Sequence, residues 1–172
     1  MADRTVENAS TEVPEMPDIL EKVLLFALNE AKDKAEKGED VIPFTALVVK
    51  EDLFLESHPG ESAEECFAFA RHTVQGARGA DAYALCYDGY IETDDGVKDA
   101  LIAEGGVPGA DEGHAIGFLY VEADEGLVFE QEAVYVGSAP NFMVALRAAG
   151  DYADDEIDER YREDGEEVVE EA

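Results

Sequence analysis

The sequence predicts an α+β fold: a mainly antiparallel sheet of five to six strands with two to three helices packed on it. Three observations predict it. Residues 20–35 carry apolar side chains at helical spacing. Short apolar runs come in pairs joined by tight polar turns, at 44–57 and again after residue 80. Helix-like and strand-like stretches are grouped rather than strictly alternating, which most simply closes as a sheet with helices on one face.

Residues 1–16 mix Thr, Glu, Ser and Pro without apolar periodicity and read as a flexible acidic lead. A single domain is expected over 17–150, starting near Pro17 and Asp18. Leu20, Val23, Leu24, Ala27, Leu28, Ala31 and Ala35 then define one helical face, and Gly38 is the stop. After Pro43, FTALVV and LFLES flank the polar triplet KED and read as a hairpin, which Pro59 and Gly60 end. Ser62 followed by Glu65 is a capping box opening a helix over 63–76, with Cys66, Phe67, Ala70 and Val74 on one face.

The remainder is mostly strand. The run ADAYALCY (80–87) meets Asp88-Gly89, a favoured hairpin dipeptide, and YIET meets Asp94-Asp95-Gly96 before VKDALIAE resumes. A Gly- and acid-rich loop is expected over 105–113. AIGFLYVEA and LVFEQEAVYV then form a pair about Asp124-Glu125-Gly126, with one wet face. Residues 140–149 read as a short closing helix, and 151–172 as an acidic tail, disordered or a frayed helix. This order of elements is similar to that of profilin-like and roadblock-like domains, with additional strand capacity after residue 97.

The chain has 172 residues, 43 of them acidic and 12 basic, for a formal charge of −31. Such a polyanion is repelled by phosphate backbones and anionic lipid, so neither nucleic-acid binding nor a membrane role is expected. The acidity is distributed. Residues 1–18 hold five acids and Arg4 (net −4), 19–150 hold 26 acids and nine bases (net −17), and 151–172 hold twelve acids with Arg160 and Arg162 (net −10). Two readings follow. In one, the carboxylate shell is adapted to a salt-rich interior, where molar salt shortens the Debye length to ~3 Å; the composition resembles that of haloarchaeal proteins. In the other, the acids meet a basic partner. Cys66 and Cys86 lack CxxC spacing, and neither an apolar leader nor a run long enough to span a bilayer is seen, which gives a cytoplasmic expectation.

No constellation of catalytic residues emerges. There is no G-x-S-x-G, and Cys66 and His72 stand six residues apart on one helix, a spacing that does not bring side chains together. His58, His72 and His114 fall on a strand end, a helix and a loop; His58 before Pro59 reads as solvated, and nothing in the spacing assembles a metal site. The acid-rich DGYIETDDGVKD (88–99) places Gly at the ninth position rather than the sixth, so it is no EF-hand loop. The glycines of GGVPGADEG match no phosphate-binding pattern. No catalytic, cofactor-binding or metal residues and no cofactor are assigned.

The run ADAYALCYDGYIETDDGVKDALIAEGG followed by EGHAIGFLYVE resembles uncharacterised prokaryotic α+β proteins through Asp88, Gly89, Gly96, Asp99, Ala100 and Glu104, over about a quarter of the chain. The resemblance implies a hairpin and carries no assigned activity. Turns account for Asp88, Gly89 and Gly96, and an exposed strand face accounts for Asp99 and Glu104.

The expected function is therefore non-enzymatic, exerted through protein–protein interaction. The chain is read as a homo-oligomer or the acidic partner of a basic protein, with Tyr83, Tyr87, Tyr90, Phe118, Tyr120, Phe129 and Tyr135 available to an interface or the core. The alternative is a small enzyme or ligand- or metal-binding domain whose cleft gathers His58, His72, His114 and carboxylates.

Overall fold

A computed structural model describes residues 5–6 and 16–157; residues 1–4, 7–15 and 158–172, in the expected lead and tail, lie outside the described residues. The protein is α+β, built on a large, mainly antiparallel sheet with, among the described residues, two α-helices packed against it. The elements are β1 (Thr5–Val6), α1 (Asp18–Glu36), β2 (Phe44–Val49), β3 (Asp52–Ser57), α2 (Ala63–Gln75), β4 (Ala82–Thr93), β5 (Gly96–Gly106), β6 (Gly113–Ala123), β7 (Gly126–Phe129) and β8 (Val134–Ala139). Six strands follow the order β3-β2-β4-β5-β6-β7; β1 joins β4 in parallel and β8 joins β6, making eight among the described residues, above the five to six expected.

Helix α1 buries the seven apolar positions expected of it. Each fully buried aliphatic side chain contributes about 1.5–3 kcal/mol. Asp18 and Glu21 in its first turn and Lys34 in its last complement the helix dipole, and Gly38 leaves the helix at φ +82°. Helix α2 is opened by Ser62, whose Oγ accepts the Glu65 amide at 3.1 Å while the Glu65 carboxylate accepts the Glu61 amide at 2.9 Å. Ser62→Ala is expected to cost about 1 kcal/mol, read as a lower urea midpoint with unchanged slope.

The helices do not share a face. α1 covers Phe44, Ala46, Val48, Ala84, Cys86, Leu101 and Phe118, whereas α2 and the segment after β8 cover Leu47, Val49, Tyr83, Leu85, Tyr87 and Ile102. Successive strand residues point to opposite faces, so the sheet is buried on both sides, and all six residues of β2 are buried. That corrects the one-face arrangement. The unbroken apolar runs of β2 and β4 are the pattern of strands covered twice.

One expected turn, one helix and one strand are also corrected. Asp88-Gly89 does not turn: β4 runs through it, with Asp88 opposite Leu101 and Gly89 opposite Ala100. The hairpin closes at Asp94-Asp95 instead. There Thr93 Oγ1 donates to the Gly96 carbonyl at 2.7 Å and accepts the Asp95 amide at 3.2 Å, and Gly96 adopts φ +111°. Residues 140–149 form turns rather than a helix. Asn141 donates to the carbonyls of Val107 (2.8 Å) and Ala110 (2.7 Å) and accepts the Met143 amide (2.9 Å), so its side chain takes over backbone partners a helix would need. The run read as one strand, LVFEQEAVYV, is split into β7 and β8, which pair with opposite ends of β6.

Candidate functional site

β2 begins at Phe44, opposite Cys86, while β4 continues beyond that pair to Thr93. The sheet therefore has a notch where β2 has not yet started. Residues 40–43 and 59–63 wrap it, tied together by the His58 amide donating to the Pro43 carbonyl at 2.8 Å. The result is a half-open cleft of about 510 Å³. Val41, Ile42, Pro43 and Pro59 supply apolar walls; Asp40, Glu61 and Asp88 supply the charge, with Cys66 of α2 beside them. Among the described residues lining it there is no Lys, Arg or His.

Asp88 is the half-buried member. The Tyr120 hydroxyl donates to its Oδ1 at 2.7 Å. Burial raises the carboxyl above the ordinary range, the Tyr120 bond partly offsets this, and the negative charge of Asp99 adds to the rise. Asp88 and Asp99 share a sheet face, as the register of β4 with β5 requires. The same surroundings push the Tyr120 hydroxyl well above the usual phenol value, burial first and the Asp88 bond second, so it stays a donor.

None of the three histidines is among the described residues lining this cleft. His58, expected to be solvated, is wholly buried. Its Nε2 lies 2.9 Å from Thr45 Oγ1, its ring meets Phe69 of α2 edge-on with centroids 5.0 Å apart, and Nδ1 has no hydrogen-bond partner. Desolvation lowers its pKa, opposed by the charge of Glu56. His72 is exposed on α2, and His114 is half-buried with Nδ1 2.9 Å from the Tyr135 hydroxyl. Among the described residues no three His, Cys, Asp or Glu side chains are grouped to hold a metal ion.

Glu104 is not on an exposed face. It is 1% exposed, on the α2 side of β5, and the Tyr87 hydroxyl donates to its Oε1 at 2.7 Å; Asp99 is half-buried. Cys66 and Cys86 are both buried free thiols, and burial drives the Cys86 thiol far above its ordinary value. Of the seven aromatics weighed for an interface, Tyr83, Tyr87, Phe118 and Tyr120 are core residues, and Tyr90, Phe129 and Tyr135 are half-buried.

Sequence reasoning missed the site residues Asp40, Glu61 and Asp88. Among the described residues no helix is long and apolar enough to cross a membrane. No known family model matches the chain, and neither the curated proteins nor the solved structures include a significant match to it.

Proposed function

We propose that the protein is a non-enzymatic, cytoplasmic binding protein that acts by association with a basic partner, one of whose cationic side chains enters the cleft at Asp88. The observation that carries this reading is the lining: three carboxylates, apolar walls and no described basic group to neutralise them. A Lys or Arg side chain matches it, with a hydrocarbon stem for the Val41–Pro43 wall and a charged head for Asp88. The surroundings of Asp88 disfavour its charged form, a cost that an incoming cation offsets. The fold gains nothing from that charge. A carboxyl whose folded pKa is raised contributes stability when protonated and loses it as pH rises through the unfolded value towards the folded one.

Support for a non-enzymatic role comes from the polar groups present. Ser62 Oγ is occupied by the Glu65 amide, and no histidine lies among the described lining residues to activate a nucleophile. The two free cysteines fit a reducing compartment. The distributed charge fits a basic partner and a salt-rich interior alike, but the two diverge with salt: screening weakens association with a basic partner and relieves self-repulsion within the chain.

The test is titration with N-acetyl-lysine amide and N-acetyl-arginine amide, followed by amide chemical shifts at Ile42, Gly60 and Cys66. Saturable shifts that weaken with salt are expected. Asp88→Asn, which retains an oxygen to accept the Tyr120 hydroxyl, is expected to lower affinity at least tenfold, about 1.4 kcal/mol, while stability at neutral pH is kept or raised. Equal affinity in Asp88→Asn, or equal binding of an acetylated glutamate probe, would remove the reading.

A further inference from the structure

The cleft's two walls meet at one residue. The His58 amide bonds the Pro43 carbonyl of the first wall, and His58 is followed directly by Pro59 of the second, while its imidazole is wholly buried against Thr45 and Phe69. We propose that His58 is a proton-operated latch on the cleft: neutral imidazole holds the walls together, and protonation parts them and releases the bound cation. The inference rests on the cleft being the binding site for its consequence, but the latch itself is a property of the empty protein.

The geometry gives the imidazolium nowhere to put its charge. From β2 the ring is met by the Thr45 hydroxyl, from α2 by the Phe69 ring, and from β3 by Glu56, the one described charge that bears on it. Thr45 Oγ1 can serve a neutral ring nitrogen as donor or acceptor, but Nδ1–H of the cation would be a buried donor with no described partner, and water is the nearest remedy. With the ring wholly buried, water reaches it only if a neighbouring segment moves, and the walls at Pro43 and Pro59 are the segments joined at this residue. Of the two, the 59–63 segment lies between the end of β3 and the Ser62 cap of α2, so it can open without breaking a strand ladder. Burial outweighs Glu56 and favours the neutral ring, so the closed form binds the proton less well than the open one. Opening therefore increases as pH falls below the ordinary imidazole value of about 6.5, by up to tenfold per unit.

The experiment is hydrogen exchange of the residue 58 amide, the bond between the walls, in ligand-free protein from pH 7.5 to 5.5. Rates are corrected for the intrinsic pH dependence of exchange. Wild type is expected to lose protection by up to tenfold per unit at residue 58 and at Glu61, whose amide bonds the Glu65 carboxylate, with the β4–β5 amides unchanged. His58→Gln, which can still bond Thr45 but does not titrate, is expected to show a flat profile. His58→Phe combined with Thr45→Val, which removes both polar partners together, provides the same control should the glutamine variant fold poorly. A flat wild-type profile, or the same pH response in the variants, overturns the latch. Because no ligand is present, either outcome is independent of whether a cation enters the cleft.

Discussion

Gly105→Ala is expected to destabilise the domain by about 3 kcal/mol or more, a large cost for the addition of one methyl group. Gly105 sits opposite Ala84 of β4 and His114 of β6. A Cβ there would collide with the carbonyl oxygen of Tyr83, with the Tyr83 carbonyl carbon and Ala84 Cα also within about 3 Å. These are backbone atoms of a central strand, so no rotamer change relieves the overlap. Either β4 and β5 separate, at the expense of ladder bonds, or the chain bends at Gly105. The adjoining Gly106 is filled by the Asn141 side chain, which holds the segment after β8, so displacement of β5 also strains that anchor. Chemical denaturation measures the loss; a change below about 1 kcal/mol would show that the strands give way more readily than their packing indicates. Gly150→Ala, at an open position without positive φ where no atom lies within 4 Å, is the control for the added methyl group alone.

Tyr87→Phe is expected to cost about 2–3 kcal/mol, because it withdraws a hydroxyl donor from the buried carboxylate of Glu104. The asymmetry between partners makes the test specific. Removal of the hydroxyl leaves the carboxylate in the core without that bond, whereas Tyr87→Phe together with Glu104→Leu removes donor and acceptor and is expected to recover much of the loss. The ring of Tyr87 also packs edge-on against Phe67 of α2, a contact that phenylalanine keeps, so the hydroxyl is isolated from the packing. A double variant less stable than the single one would assign Glu104 a further structural role.

The elements legible in the sequence were those whose side chains declare both spacing and stop. In α1 the apolar face, the acidic first turn and Gly38 agree, and the helix spans Asp18–Glu36. Ser62 and Glu65 mark α2 equally plainly because a capping box is a local interaction. What the sequence does not declare is set by partners distant in the chain. Asp88-Gly89 has the chemistry of a turn, but Tyr120, thirty-two residues on, holds Asp88 as a strand residue. Glu104 has the composition of a surface position and is buried because Tyr87 lies across the hairpin. His58 before Pro59 reads as a solvated end, and only the docking of α2 through Phe69 closes it in. The cleft is hidden for the same reason: its carboxylates come from three separate segments, around residues 40, 61 and 88, and converge where β2 stops short of β4.

Burial of the sheet on both faces makes it a partition. Side chains such as Leu28 and Phe118 on one side share no packing partners with Val74 and Ile102 on the other, because the hydrogen-bonded backbone lies between them. Substitutions on opposite sides should then sum in free energy, whereas those on the same side interact. The domain can thus drift in sequence one compartment at a time. The Glu104–Tyr87 pair and His58 lie on the α2 side, whereas Asp88 and its partner Tyr120 lie on the α1 side, so the cleft draws on both compartments where the sheet is notched.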